Sequence, residues 1–118
     1  MLLEWEDAFP WKGQLENITL SHGAYTAAQA RELVEFSEER LGLDVIPLVQ
    51  TFGHVEFILK SAEFRHLREL DEDPQSFCPS KIGTMDLIME MIDQVKKTNQ
   101  TRCSSKRNVV LNYVQLIA

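Results

Sequence analysis

Positive charge is scarce in this 118-residue chain, where 12 Lys and Arg stand against 18 Asp and Glu for a net charge of −6. The scarcity is uneven. Residues 1–95 hold all 18 acids and seven basic residues, a net of −11, while 96–118 hold Lys96, Lys97, Arg102, Lys106 and Arg107 without one acid, a net of +5. Phosphate neutralisation needs a basic face, so the acidic body excludes nucleic acid as a partner. Cysteine is nearly absent. Cys78 and Cys103 alone make no disulfide framework and fit a reduced, cytosolic setting. Neither they nor His22 and His66 show metal-ligand spacing, so no metal and no cofactor is expected. No glycine-rich phosphate loop and no nucleophile elbow follows a strand-like run. No apolar run approaches the roughly 20 residues of a membrane span, which argues against a membrane partner. Met1-Leu2-Leu3 leads straight into Glu4, Glu6 and Asp7, which is not the pattern of a signal peptide.

What is present reads as alternating strands and helices. Leu2-Leu3-Glu4-Trp5 has the composition of a short strand, and Glu6-Asp7 leads into the turn-rich Phe9-Pro10-Trp11-Lys12-Gly13. A core strand at the first residues implies missing sequence upstream, because termini normally have slack. Thr26 and Gln29 have the spacing of a capping box, and Gly42 the place of a helix-ending glycine. Between them Ala30, Leu33, Val34 and Leu41 recur at helical spacing, with Ser37 among them. The apolar run Leu43–Val49 then predicts a strand buried on both faces, parallel to the first, although Pro47 removes a ladder donor. After His54 the pattern predicts helix through Val55, Ile58, Leu59 and Ala62 and on to Phe64, Leu67 and Leu70, broken at Asp71-Glu72-Asp73-Pro74. A last helix is predicted from about Thr84 to Lys97. The apolar, uncharged Val109–Ile117 has strand composition and also an aggregation signature.

In β-α-β units ligands meet the carboxyl ends of the strands. Here those ends are Glu6-Asp7 and Gln50-Thr51-Phe52-Gly53-His54. A carboxylate that orients a histidine, which then contacts an acid, is a standard way to tune a general acid, and Asp7 and His54 are the candidate pair. Bland alternatives stand beside them: a loop Asp and a loop His that only cap and solvate. Trp11 offers an aromatic face on which a sugar ring could stack, against the alternative of core packing. Gln50 and Glu56 complete the candidate substrate edge, Glu56 being equally readable as an exposed helix residue.

The order of these words is itself informative. Leu3-Glu4-Trp5-Glu6-Asp7-Ala8-Phe9-Pro10, Tyr25-Thr26, Val45–Phe57 and Glu63-Phe64-Arg65-His66-Leu67-Arg68-Glu69 resemble the β-N-acetylhexosaminidases of glycoside hydrolase family 20 over about residues 1–95. The resemblance implies an α/β fold, a partial TIM (β/α)8 barrel running from its second strand to its third helix. It divides the chain into a partial catalytic barrel, 1–97, and a divergent tail, 98–118, expected as a stray strand or as disordered. It implies a cytoplasmic or nuclear hydrolase of terminal non-reducing N-acetyl-β-hexosamine (GlcNAc or GalNAc) on glycans. The mechanism would be substrate-assisted and retaining, with the sugar's acetamide as nucleophile. In that scheme His54 supports the catalytic acid and Asp7 orients His54.

The chain departs from the family where the next strand should carry the paired catalytic Asp and Glu. From Lys96 onward there is no acidic residue. The family's first strand, with its sugar-binding arginine, is also not matched. The expectation is therefore a truncated isoform, through splicing, read-through or a gene-model artefact, that is inactive alone. Two other functions stay open: a non-catalytic interaction product that self-associates through exposed strand edges, and a small α/β binding module completed by the tail strand.

Overall fold

The computed structural model describes residues 1–99 and the strand Val110–Leu111. Its centre is a parallel sheet in the order β1-β2-β5, with β1 at Leu2–Trp5, β2 at Ile46–Val49 and β5 at Val110–Leu111. β1 and β2 pair from Leu2↔Ile46 to Trp5↔Val49, and β5 pairs with β2 at Leu48↔Val110 and Val49↔Leu111. The rest of Val109–Ile117 lies outside the described residues.

Pro47 is tolerated inside β2 for a geometric reason. The Ile46 amide donates to the Met1 carbonyl at 2.8 Å, toward β1. Backbone groups alternate sides along a strand, so the nitrogen of Pro47 faces away from β1 and costs that ladder nothing. The pairing with β5 begins only after it, at Leu48. The strand is shorter than the apolar run Leu43–Val49, because the chain is still leaving the preceding helix at Leu43, whose amide returns to the Ser37 carbonyl at 3.0 Å.

That helix, α1, spans Ala27–Glu39 and begins as its sequence dictates. The Gln29 amide donates to the Thr26 hydroxyl at 3.2 Å, and the Thr26 amide donates to the Gln29 side-chain oxygen at 2.9 Å. Ala30, Val34 and Ser37 are buried, the Ser37 hydroxyl donating to the Leu33 carbonyl at 2.8 Å. Leu41 departs from its expected place on the buried face and is 56 % exposed, because α1 ends before it. Gly42 makes the exit with φ at 62°, a conformation that costs a residue with a Cβ about 1–2 kcal/mol.

The segment after His54 overturns the expected long helix. Only Glu56–Leu59 is α-helical (α2), and a 3-10 turn follows at Arg65–Leu67. Arg68–Leu70 (β3) and Asp73–Phe77 (β4) then form an antiparallel hairpin. Two polar groups stop the helix. The Leu59 carbonyl, which a continuing helix would use, accepts instead from Arg68 Nε and Nη2 at 2.9 and 2.7 Å. The Ser61 hydroxyl accepts from the Glu63 amide at 3.3 Å, an alternative to helical bonding. The apolar spacing misled because Phe64 and Leu67 are indeed buried, but on a turn; Leu70 is 64 % exposed.

The last helix, α3, spans Thr84–Thr98 and turns Leu87, Ile88, Met91 and Val95 inward. Those side chains join Trp5, Phe9, Trp11, Leu15, Val49, Val55, Ile58, Leu59, Phe64, Leu67 and Phe77 in one core. Among the described residues no helix is long and apolar enough to cross a membrane. Thr26→Ala is expected to lower stability by about 1 kcal/mol through loss of the cap, seen as a lower urea midpoint at unchanged slope.

Candidate functional site

Parallel pairing decides the site. With Trp5 opposite Val49, both strands leave the sheet at one edge, and their next residues are Glu6 and Gln50. The first loop is held tightly. The Glu6 carbonyl accepts from the Phe9 amide at 3.2 Å and from Trp11 Nε1 at 2.7 Å, while the Asp7 carbonyl accepts from the Leu20 amide at 2.9 Å. Phe9 packs on Trp11 with centroids 4.5 Å apart, and Trp11 stacks near Phe57 at 6.5 Å.

Trp11 is thereby corrected from a sugar platform to a core residue, 3 % exposed. Its indole N–H is spent on the Glu6 carbonyl and its ring on Phe9 and Phe57, so the face expected to carry a sugar is covered. Its contribution to the mouth is to hold Glu6 in place.

The second loop presents Gln50, buried, whose Nε2 donates to Glu4 Oε1 across the strand pair. His54 is exposed and sits at φ 58°, the one non-glycine at positive φ among the described residues. A residue with a Cβ pays about 1–2 kcal/mol for that conformation, and such strain collects at sites where the surroundings over-determine it. Glu56 opens α2 directly after Val55, partly exposed.

Glu6 gathers the ionisable groups of this edge. Its carboxyl is raised above the ordinary glutamate range, first by burial and then by the negative charges of Glu4, Asp7 and Glu56; His54 acts against them and favours the charged form. The edge thus brings together Glu4, Glu6, Asp7, His54 and Glu56. Among the described residues no hydrogen bond or ion pair joins Asp7 to His54, and both Asp7 and His54 act electrostatically on Glu6. Among the described residues no group of three or more His, Cys, Asp or Glu is arranged to hold a metal ion.

A carboxyl whose folded value lies above its unfolded one binds more protons in the folded state, so its contribution to stability falls as pH rises from the ordinary glutamate range through the raised value. Glu6→Gln is therefore expected to stabilise the chain near pH 7 and to change it little near pH 4, measured by urea denaturation at both.

No family model matches the chain. Two curated relatives do. Hexosaminidase D of Bos taurus is 42 % identical over 95 residues, which are 80 % of this chain and 27 % of that protein. Hexosaminidase D of Homo sapiens is 41 % identical over 95 residues, 80 % of this chain and 19 % of that protein. This chain spans about a quarter or less of the length of the curated relatives it matches. Identity of this level across most of the chain, on a parallel α/β unit with both strand ends at one mouth, shows that the chain is related to hexosaminidase D and corresponds to part of its length.

Proposed function

We propose that residues 1–95 form the histidine-bearing part of a β-N-acetylhexosaminidase site of glycoside hydrolase family 20, in a cytoplasmic or nuclear protein. The substrate is a glycan or glycoconjugate ending in non-reducing β-linked GlcNAc or GalNAc. The observation that carries the reading is the convergence of His54 and Glu6 at the carboxyl ends of β1 and β2, in a chain related to hexosaminidase D.

In the substrate-assisted mechanism the acetamide oxygen of the sugar attacks the anomeric carbon. An Asp polarises the acetamide, and a neighbouring Glu protonates the departing oxygen. On this reading His54 holds that Glu in place, and Glu6, with Asp7 beside it, sets the electrostatics around His54. On the same reading Gln50, after β2, and Glu56, at the start of α2, are the substrate-edge candidates. The paired Asp and Glu are not in this chain where the reading requires them, since 96–118 contain no acid. The 118-residue polypeptide by itself is then inactive, because a positioned acid alone contributes about 10²–10⁴-fold. Residues 1–95 exchanged for the matching stretch of bovine hexosaminidase D should leave the hybrid able to cleave a chromogenic N-acetyl-β-glucosaminide. His54→Ala in that hybrid should lower kcat by about 10²-fold at little changed KM, whereas the isolated chain gives no turnover. An H54A hybrid at full rate would remove the assignment.

A second reading is favoured by one face of the sheet. Leu2 and Ile46 are register partners on the face opposite Trp5 and Val49, and they are 60 % and 39 % exposed. Among the described residues β1 is the last strand on its side of the sheet. We infer from these that the chain alone self-associates through this edge and face. Sedimentation velocity should show concentration-dependent dimers that Ile46→Glu abolishes; a monomer at every concentration would count against it.

A further inference from the structure

The loop carrying His54 is strained but not free. The Phe52 carbonyl accepts from the Phe77 amide at 3.0 Å, and the Val55 amide donates to the Gln75 carbonyl at 3.3 Å. Both ends of the short segment Phe52–Val55 are therefore tied to alternate residues of β4. Between them Gly53 lies along Ser76, where an added Cβ would meet the hydroxyl at 4.0 Å. β4 thus runs beside the loop as a splint, and the two bonds bracket His54.

One side chain ties the splint to α2. Arg68 pairs with Phe77 through the β3–β4 ladder. Its guanidinium donates twice to the Leu59 carbonyl, at 2.9 and 2.7 Å, and once to the Asp71 carbonyl, at 2.8 Å. Leu59 ends α2, the helix that starts just after His54. The bonds close a ring: from His54 through α2 to Leu59, across Arg68 to the hairpin, and from β4 back to the backbone on both sides of His54. Lys81 reinforces it, Nζ donating to the Arg68 carbonyl at 2.6 Å and standing 3.7 Å from the Asp71 carboxylate. A planar guanidinium can satisfy two carbonyls on two segments at once, and a lysine ammonium on a flexible stem cannot keep that fork.

We infer that Arg68 is a positioning residue for His54, holding it in the left-handed conformation through the β3–β4 hairpin. Its importance for catalysis rests on the function proposed for His54. The conformational claim does not, so the experiment uses no glycan and its failure would leave that functional reading standing.

The test is amide exchange by NMR on the full 118-residue chain, comparing Val55 and Phe77 with Ile46, whose amide bonds to Met1 outside the ring. Arg68→Lys should lower protection at Val55 and Phe77 by about tenfold relative to Ile46, and the backbone shifts of His54 should leave their left-handed values. Glycine adopts that conformation without strain, so adding His54→Gly should shrink the Arg68→Lys effect in a double-mutant cycle. Equal loss of protection at all three amides, or unmoved His54 shifts, would overturn the inference. Should R68K unfold, Lys81→Met loosens the same hairpin more gently. It must then show the same selective loss, and a uniform one there overturns the inference as well.

Discussion

Everything at the mouth depends on the in-register parallel pairing of β1 with β2. Parallel strands leave a sheet at the same edge, so residues far apart in sequence, Glu6 and His54, are delivered to one place. Parallel strands also require a crossover, and α1 supplies it, started by the Thr26–Gln29 capping box and ended at the Gly42 turn. A slip of one residue in β2 would exchange Val49 for Leu48, which faces the other side of the sheet, and turn Trp5 against the wrong neighbour. The burial of both Trp5 and Val49 in one core therefore fixes register and site together.

The two loops achieve rigidity by different means. The first folds into the core: Phe9 and Trp11 are buried, and the Trp11 indole bonds the Glu6 carbonyl. Burial of aromatic surface and several backbone-directed hydrogen bonds do the holding. The second loop has no buried aromatic of its own, and Phe52 is exposed. It is held from outside, by the backbone of β4 and ultimately by the guanidinium of Arg68. That arrangement tolerates a strained His54, since the strain is shared among several hydrogen bonds rather than relaxed in one loop.

Much of this was legible in the chain. The capping box, the closing glycine, the first strand and the limits of α3 follow from local chemistry, in which residue type and spacing within a few positions decide the outcome. The mouth was legible as well, because strand ends in β-α-β units are where loops begin. The hairpin was not. Val55, Ile58, Phe64 and Leu67 kept helical spacing and are buried, yet the Leu59 carbonyl was claimed by the side chain of Arg68, itself within the span expected as helix. Trp11 posed the same difficulty, since its loop setting looked exposed while Phe9 and Phe57 closed over it.

The sequence by itself determined the alternation of strand and helix, the acidic character of residues 1–95 and the kinship with hexosaminidase D. These are carried by composition, short-range spacing and identity of residues, none of which needs a third dimension. Only the tertiary structure decided that Glu6 stands in electrostatic reach of His54, that Trp11 serves the core, and that Arg68 ties the hairpin to α2. Each of those turns on which side of a strand or loop a group faces. That is set by the packing of segments distant in sequence, through hydrogen bonds and buried surface that exist only once the strands have paired.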